Sequence, residues 1–263
     1  MTAVNILYLG DVVGRPARDF IVKSLASIKK IYNIDVVVAN VENATSGAGI
    51  TLSHAALLHR AGIDLMTLGD HAWDRYGFEN DIDKIEYICR PANLPMSSPG
   101  RDFIIINKNG VKIGVAVVLG RHFMKINADS PFPAADRVIQ QYRNDVDIML
   151  LEMHAEATSE KIAFGWNYDG MVSAIVGSHT HVQTSDDRIL PKGTAYITDL
   201  GMCGAHESVI GREITPVLYS MKNSIPRKFD VATGDVQLHG VVLSIDPSTG
   251  MAKKIVRFSE RAQ

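Results

Sequence analysis

"DFIIINKNGVKIGVAVVLG", residues 102–120, is the stretch on which the architecture turns. Two β-rich runs flank Asn109-Gly110, a dipeptide suited to a two-residue hairpin turn, so antiparallel pairing is expected in the middle of the chain. Upstream, short apolar runs alternate with amphipathic stretches: strands over 4–9, 35–40 and 64–68, helices over about 16–32, 53–61 and 76–87. The runs "VNILYL" and "DVVVAN" lack polar alternation, as strands covered on both faces do. Downstream, a helix near 133–143 precedes three strands within "DVDIMLLEMHAEAT", "MVSAIVGSHTHV" and "GTAYITDLGMCG". The tail "DVQLHGVVLSIDPSTGMAKKIVRF" alternates apolar and polar residues about a Pro-Ser-Thr-Gly turn and reads as a closing hairpin. An α/β rhythm interrupted by hairpins implies two packed sheets with helices outside, in one domain spanning 1–263.

Composition narrows the function classes. The chain has 27 Lys plus Arg against 29 Asp plus Glu, so bulk charge favours neither nucleic acid nor an anionic membrane surface as partner. Cys89 and Cys203 lie far apart without CxxC spacing, which argues against a disulfide framework or a thiolate zinc site and for a reducing, cytoplasmic home. "MTAVNILYLGDVVG" lacks a basic leader and is broken by Gly10 and Asp11, so it reads as a first strand. No run approaches the roughly 18 apolar residues of a spanning helix. The function must therefore reside in a local site.

The ends of the expected strands carry that site. Asp11 follows the first, Glu42 and Asn43 the second, Asp70 and His71 the third; His154 ends "LLEMH", and His179 and His181 stand in "GSHTH". Singly, a strand-terminal Asp is commonly a turn residue or helix cap, and a lone His a satisfied polar residue. Together, carboxylates and imidazoles converging on one rim, with no Lys or Arg in those motifs, repel and desolvate one another unless a cation neutralises them. Mixed N/O ligation without thiolates suits iron, manganese or zinc, and the set is large enough for two divalent ions sharing a carboxylate.

With these motifs in view, the chain resembles the calcineurin-like dinuclear metallophosphoesterases, and more narrowly their bacterial YmdB-like branch. The likeness runs nearly end to end, through "GDVVGRPARD", "ENATSGAGIT", "RPANLP", "HAEATSEKIAFGW" and "GSHTHVQTSDDRILPKGTAYITDLGM". It implies a four-layer αββα sandwich, two mixed β-sheets flanked by helices. It further implies one metal held by Asp11, Asn43 and His181, a second held by Asp70, His154 and His179, and Glu42 bridging the pair, with His71 as the unligated catalytic acid or phosphate-binding residue. A homo-oligomer is implied by the resemblance alone. One position departs: the family has Gly-Asn-His where this chain has Gly69-Asp70-His71. Asp11, Glu42 and Asp70 then set three negative charges against four from two divalent ions, and a bridging hydroxide completes neutrality.

Two ions about 3.5–4 Å apart generate a nucleophilic hydroxide and steady the phosphoryl oxygens during in-line attack. The expected activity is thus metal-dependent hydrolysis of phosphodiesters. By resemblance the substrates are small cyclic nucleotides, 2′,3′-cyclic and also 3′,5′-cyclic. Arg90 and Arg121 are candidates for phosphate contact, and Phe123 and Trp166 for stacking on a base. The alternative is a catalytically weak, metal-containing regulatory protein that binds a nucleotide or a partner. A dinucleotide-binding redox enzyme ranks below both, since "SGAGIT" does not complete GxGxxG and no GxxxxGK[ST] occurs.

Overall fold

The computed structural model describes residues 3–262. Strands β1 (Val4–Leu9), β2 (Asp11–Val12), β3 (Val36–Asn40), β4 (Leu65–Thr67) and β5 (Ile88–Cys89) begin the first sheet, with helices α1 (Gly14–Ile31) and α2 (Leu52–Ala61) between them. The second sheet comprises β6 (Ile104–Lys108), β7 (Val111–Leu119), β8 (Ile148–His154), β9 (Ala174–Ser178), β10 (Arg188–Ile189) and β11 (Ala195–Ile197), with α3 (Pro131–Tyr142) and α4 (Thr158–Asn167) as crossovers. The chain then returns to the first sheet through β12 (Met202–Ala205), helix α5 (Ile214–Asn223), β13 (Val236–Ile245) and β14 (Ala252–Arg261).

Both sheets are mixed. In the first, β1, β3, β4 and β5 run parallel, while β13 pairs antiparallel with β1, β12 and β14. In the second, β7, β8, β9 and β11 run parallel, with β6 and β10 antiparallel at the two edges. The Asn109-Gly110 turn joins β6 to β7, as its sequence predicts.

Side-chain alternation on these strands builds the layers. Ile6 and Tyr8 of β1 face a middle core shared with Val115 and Val117 of β7 and Ile148 and Leu150 of β8. Leu7 and Leu9 face the other way, onto Ala17, Ile21, Leu25 and Ile28 of α1. On the far side, Ala116 and Val118 of β7 pack against Ala135 and Val138 of α3 and Phe164 of α4. Three buried apolar interfaces separate four layers, giving the expected αββα sandwich.

The single strand expected within "GTAYITDLGMCG" is two, β11 in the second sheet and β12 in the first, the short β2, β5 and β10 have no counterpart in the sequence reading, and three helical elements also differ from it. The helix expected over 76–87 is two single 3-10 turns, Phe78–Asn80 and Ile82–Lys84. Its apolar residues recur at helical spacing, but Gly77 is left-handed at φ +87° ahead of the first turn, and the Asp83 carboxylate is drawn to the Gly100 N–H at 2.8 Å in a distant loop. Helices α4 and α5 have no counterpart in the sequence reading. The buried face of α4 is Lys161, Phe164 and Gly165, and α5 buries only Val217, so neither presents a continuous apolar stripe.

Parallel pairing sets the strand ends side by side. Leu119, His154 and Ser178 share one register across β7, β8 and β9. The loops beyond these ends, where open α/β sheets place ligands, lie next to the loops after β3 and β4.

Candidate metal centre

Four of the expected ligands form the tightest cluster: Glu42, Asp70, His154 and His179 each bring one donor atom into a group whose members all lie within 4.8 Å of one another. Asp70 Oδ1 stands 3.0 Å from His154 Nε2 and 3.2 Å from His179 Nδ1. Glu42 Oε1 is 3.1 Å from the same His154 nitrogen. Gly69 makes this approach sterically feasible, because a Cβ there would collide with Glu42 Oε2 and with His154 Nε2. The remaining ligands adjoin it: Asn43 Nδ2 lies 3.3 Å, and Asp11 Oδ1 3.8 Å, from His181 Nε2. All seven expected ligands therefore meet at one place.

The outward nitrogens of the imidazoles are tied, which turns the inward ones toward the cluster. Ser178 Oγ donates to Glu152 Oε1 at 2.5 Å, a carboxylate being able only to accept, so its oxygen takes the Nδ1–H of His154 at 2.7 Å. That bond turns His154 Nε2 toward the cluster. His181 Nδ1–H likewise donates to the Ile210 carbonyl at 2.9 Å, leaving Nε2 for the site. His179 Nε2 faces Glu156 Oε2 at 3.2 Å, with Nδ1 inward. Imidazoles oriented in this way by outer partners are the usual arrangement of metal-ligating histidines.

Glu152 is itself unusual. It is fully buried in mid-strand and accepts from Tyr8 Oη at 2.7 Å, Asn40 Nδ2 at 2.7 Å and Thr67 Oγ1 at 2.5 Å, three residues of the opposite sheet. Burial alone would raise its carboxyl, but His154, with the bonds from Asn40 and Ser178, holds it below the ordinary range.

Electrostatics describe a centre adapted to cations. Burial raises the Asp11 carboxyl to about 7, against the pull of His154, and its Oδ1 is buried without a hydrogen-bond partner. An orphaned buried carboxylate oxygen beside three imidazoles and two further carboxylates fits a metal ion better than any donor among the described residues. Burial opposes charge on His154, yet Glu42 and Asp70 hold its pKa well above the usual histidine range. Burial likewise works against ionised Asp70, but bonds to His154 and His179 hold its carboxyl well below the usual range.

The two histidines of "GSHTH" occupy strained backbone: φ is +92° at His179 and +64° at His181. Thr180 between them is clamped by Asp199, whose Oδ2 accepts its N–H at 3.2 Å and its hydroxyl at 2.7 Å. The same oxygen binds Lys161 Nζ at 2.6 Å, with both side chains 1% exposed. Neither partner of this pair, nor Glu152 and Ser178, is marked out by the strand-end motifs. A charged residue inside the apolar run "IMLLEMH" was the available signal for Glu152.

A cavity of about 390 Å³ opens beside the cluster, lined among others by Asn43, His71, Glu156, His179, His181 and Arg212. His71 donates its backbone N–H to Glu42 Oε2 at 2.9 Å, and its Nδ1 meets Asp74 Oδ2 at 2.7 Å, which leaves Nε2 for a ligand. Burial lowers its pKa, but Glu42, Asp70 and Asp74 outweigh burial and raise it. The expected substrate contacts lie elsewhere. Arg90 is buried and donates to the Pro91 and Ser98 carbonyls. The Arg121 and Phe123 side chains are exposed, and Trp166 packs with Arg188. None of the four lines this cavity, whereas Arg212, which carries no motif, does.

Known proteins resemble this chain over nearly its whole length. A 2′,3′-cyclic-nucleotide 2′-phosphodiesterase of Bacillus subtilis is 41% identical over 254 residues, covering 97% of this chain and 96% of that protein. A crystal structure described as a novel phosphatase of Mycoplasma pneumoniae superposes with a TM-score of 0.93 at 34% identity, covering 99% of this chain and 95% of the other. A hypothetical protein from Thermus thermophilus does so with a TM-score of 0.92 at 37% identity, covering 99% and 100%. Residues 7–258, which include every residue of the cluster, match the family described as YmdB-like protein, and the chain belongs to that family.

Proposed function

We propose that this chain is a metal-dependent phosphodiesterase acting on small cyclic nucleotides, the 2′,3′-cyclic ones first and the 3′,5′-cyclic ones as a second class. The observation that carries the reading is the convergence of three inward-turned imidazole nitrogens on buried carboxylates, one with an orphaned oxygen. Similarity to a phosphodiesterase of that specificity supports the substrate class. Two divalent ions, iron or manganese before zinc, are assigned to Asp11, Asn43 and His181 on one side and Asp70, His154 and His179 on the other, with Glu42 shared. When bound, they supply Lewis acidity toward the phosphoryl oxygens and acidify the attacking water.

The chain's own groups do the rest. Ser178 and the Ile210 carbonyl hold the Nδ1 positions of His154 and His181, so that Nε2 of each ring faces the centre. His71 stands on the cavity wall with its pKa raised by neighbouring carboxylates, so its imidazolium gives a proton to the departing ribose oxygen. Two buried, unpaired cysteines support a reducing, cytoplasmic setting, and no helix among the described residues is long and apolar enough to cross a membrane.

Elemental analysis of the purified chain, paired with hydrolysis of 2′,3′-cyclic AMP before and after chelation, tests this reading. Two metals per chain with turnover that chelation abolishes and manganese or iron restores is the expected result. Metal binding without turnover of any cyclic nucleotide would favour the regulatory alternative, and undiminished turnover after complete metal removal would overturn the centre.

A further inference from the structure

We propose that Arg212 is the substrate-anchoring cation of this site, binding a phosphoryl oxygen of the phosphodiester from the base of the Val209–Arg212 turn. The proposal rests on the phosphodiesterase reading for its substrate. Arg212 is the one Lys or Arg among the described residues lining the cavity, whose wall otherwise carries Glu42, Glu156 and imidazoles. A phosphodiester monoanion entering past those carboxylates meets a single permanent positive charge.

The guanidinium is placed for that task and is not consumed by its neighbours. Its Nη1 donates to the Ser46 and Phe229 carbonyls at 3.2 and 3.3 Å, and its Nη2 donates to the Gly47 carbonyl. These partners are neutral, and they occupy three of the five N–H donors of an arginine, leaving two for a ligand. Gly47 allows the close crossing: its φ is +78°, and a Cβ there would lie 2.5 Å from Nη1. The loop over 44–48 has anchors besides Arg212. Arg75 Nε already holds the Ala48 carbonyl at 2.7 Å, Arg75 Nη2 the Thr45 carbonyl, and Arg18 the Ala44 carbonyl.

The turn bearing Arg212 is strained where it meets the centre. Val209 and Arg212 exchange backbone bonds at 2.9 and 3.0 Å, which forces Ile210 to φ +45°. A β-branched residue is rarely found there, and such outliers cluster at functional sites. That same Ile210 presents its carbonyl to His181, so the turn fixes this histidine and the guanidinium in one frame.

Arg212→Gln and Arg212→Lys, each reconstituted with manganese, provide the test. Three quantities are read: metal per chain, the Kd of inorganic phosphate by calorimetry, and the KM and kcat for 2′,3′-cyclic AMP. In the glutamine variant, KM and the phosphate Kd are expected to rise together by roughly tenfold or more, the loss of a charge-assisted pair, with full metal content. The lysine variant should recover part of both. An unchanged phosphate Kd in the glutamine variant would overturn the proposal. So would metal loss in step with phosphate binding, which would reduce Arg212 to a strut for the turn. If the parent chain binds phosphate through Arg212 but turns over no cyclic nucleotide, the substrate reading fails while the anion site stands.

Discussion

Asp70 stands where the resemblance leads one to expect Asn, and the structure shows what its carboxylate touches. Its Oδ1 lies within 3.2 Å of both His154 and His179, so a carboxylate there draws a cation inward and opposes an incoming phosphate. Asp70→Asn is therefore expected to weaken the second metal while strengthening inhibition by inorganic phosphate and raising turnover at saturating metal. Metal titration and phosphate inhibition read these separately, and unchanged values in both would remove the charge argument. His71 carries a pH prediction. As a general acid it works protonated, so activity falls as pH rises through its pKa, and Asp74 is one of the groups raising that pKa. Asp74→Asn should move the alkaline limb of the kcat profile to lower pH, whereas an unmoved limb would assign it to another group. The candidate ligands were legible in the sequence because each sits where an apolar run stops. Arg212 was not, since its position depends on a turn folding back from far along the chain, and neither were Ser178 and Glu152, whose roles depend on contacts across strands and sheets.

At the scale of elements, the longer strands were readable, while the two-residue strands, the division of "GTAYITDLGMCG" between β11 and β12, and part of the helices were not. Strand runs of unbroken Val, Ile and Leu announce burial on both faces, whereas α4 conceals itself by burying Lys161. That lysine connects the helix to the loop of His179 and His181 through Asp199 and Thr180. Each left-handed histidine of the loop costs about 1–3 kcal/mol of backbone strain, which surrounding bonds must offset. Lys161→Met leaves Asp199 charged and unpaired in the interior, and a loss of about 3–5 kcal/mol in urea unfolding is expected. A loss below about 1 kcal/mol would mean that water or a neighbour satisfies Asp199 instead.

For the molecule as a whole, the centre lies across the seam between the two sheets. Asp11, Glu42, Asn43 and Asp70 follow strands of the first sheet or stand on one, while His154, His179 and His181 belong to the second. A bound ion would therefore join the sheets, and Glu152 joins them again beneath it through Tyr8, Asn40 and Thr67. Metal at about a hundred times its Kd should add about 2.7 kcal/mol of stability if the unfolded chain does not bind it. Scanning calorimetry should show one cooperative transition whose midpoint falls on chelation, and an unshifted midpoint would mean that the ions do not bridge the sheets. The hairpin of β13 and β14 adds a consequence for biosynthesis. It is synthesised after the other strands of this fold, yet β13 pairs along the flank of β1, which is made before them. Until residues 236–245 arrive, that flank of a largely apolar strand has no partner, and its exposed edge invites pairing with another chain. Every proposed metal ligand has by then been synthesised. Stable loading of the ions accordingly waits for β13 to join the sheet, and a nascent polypeptide halted before β13 is the species most in need of a chaperone.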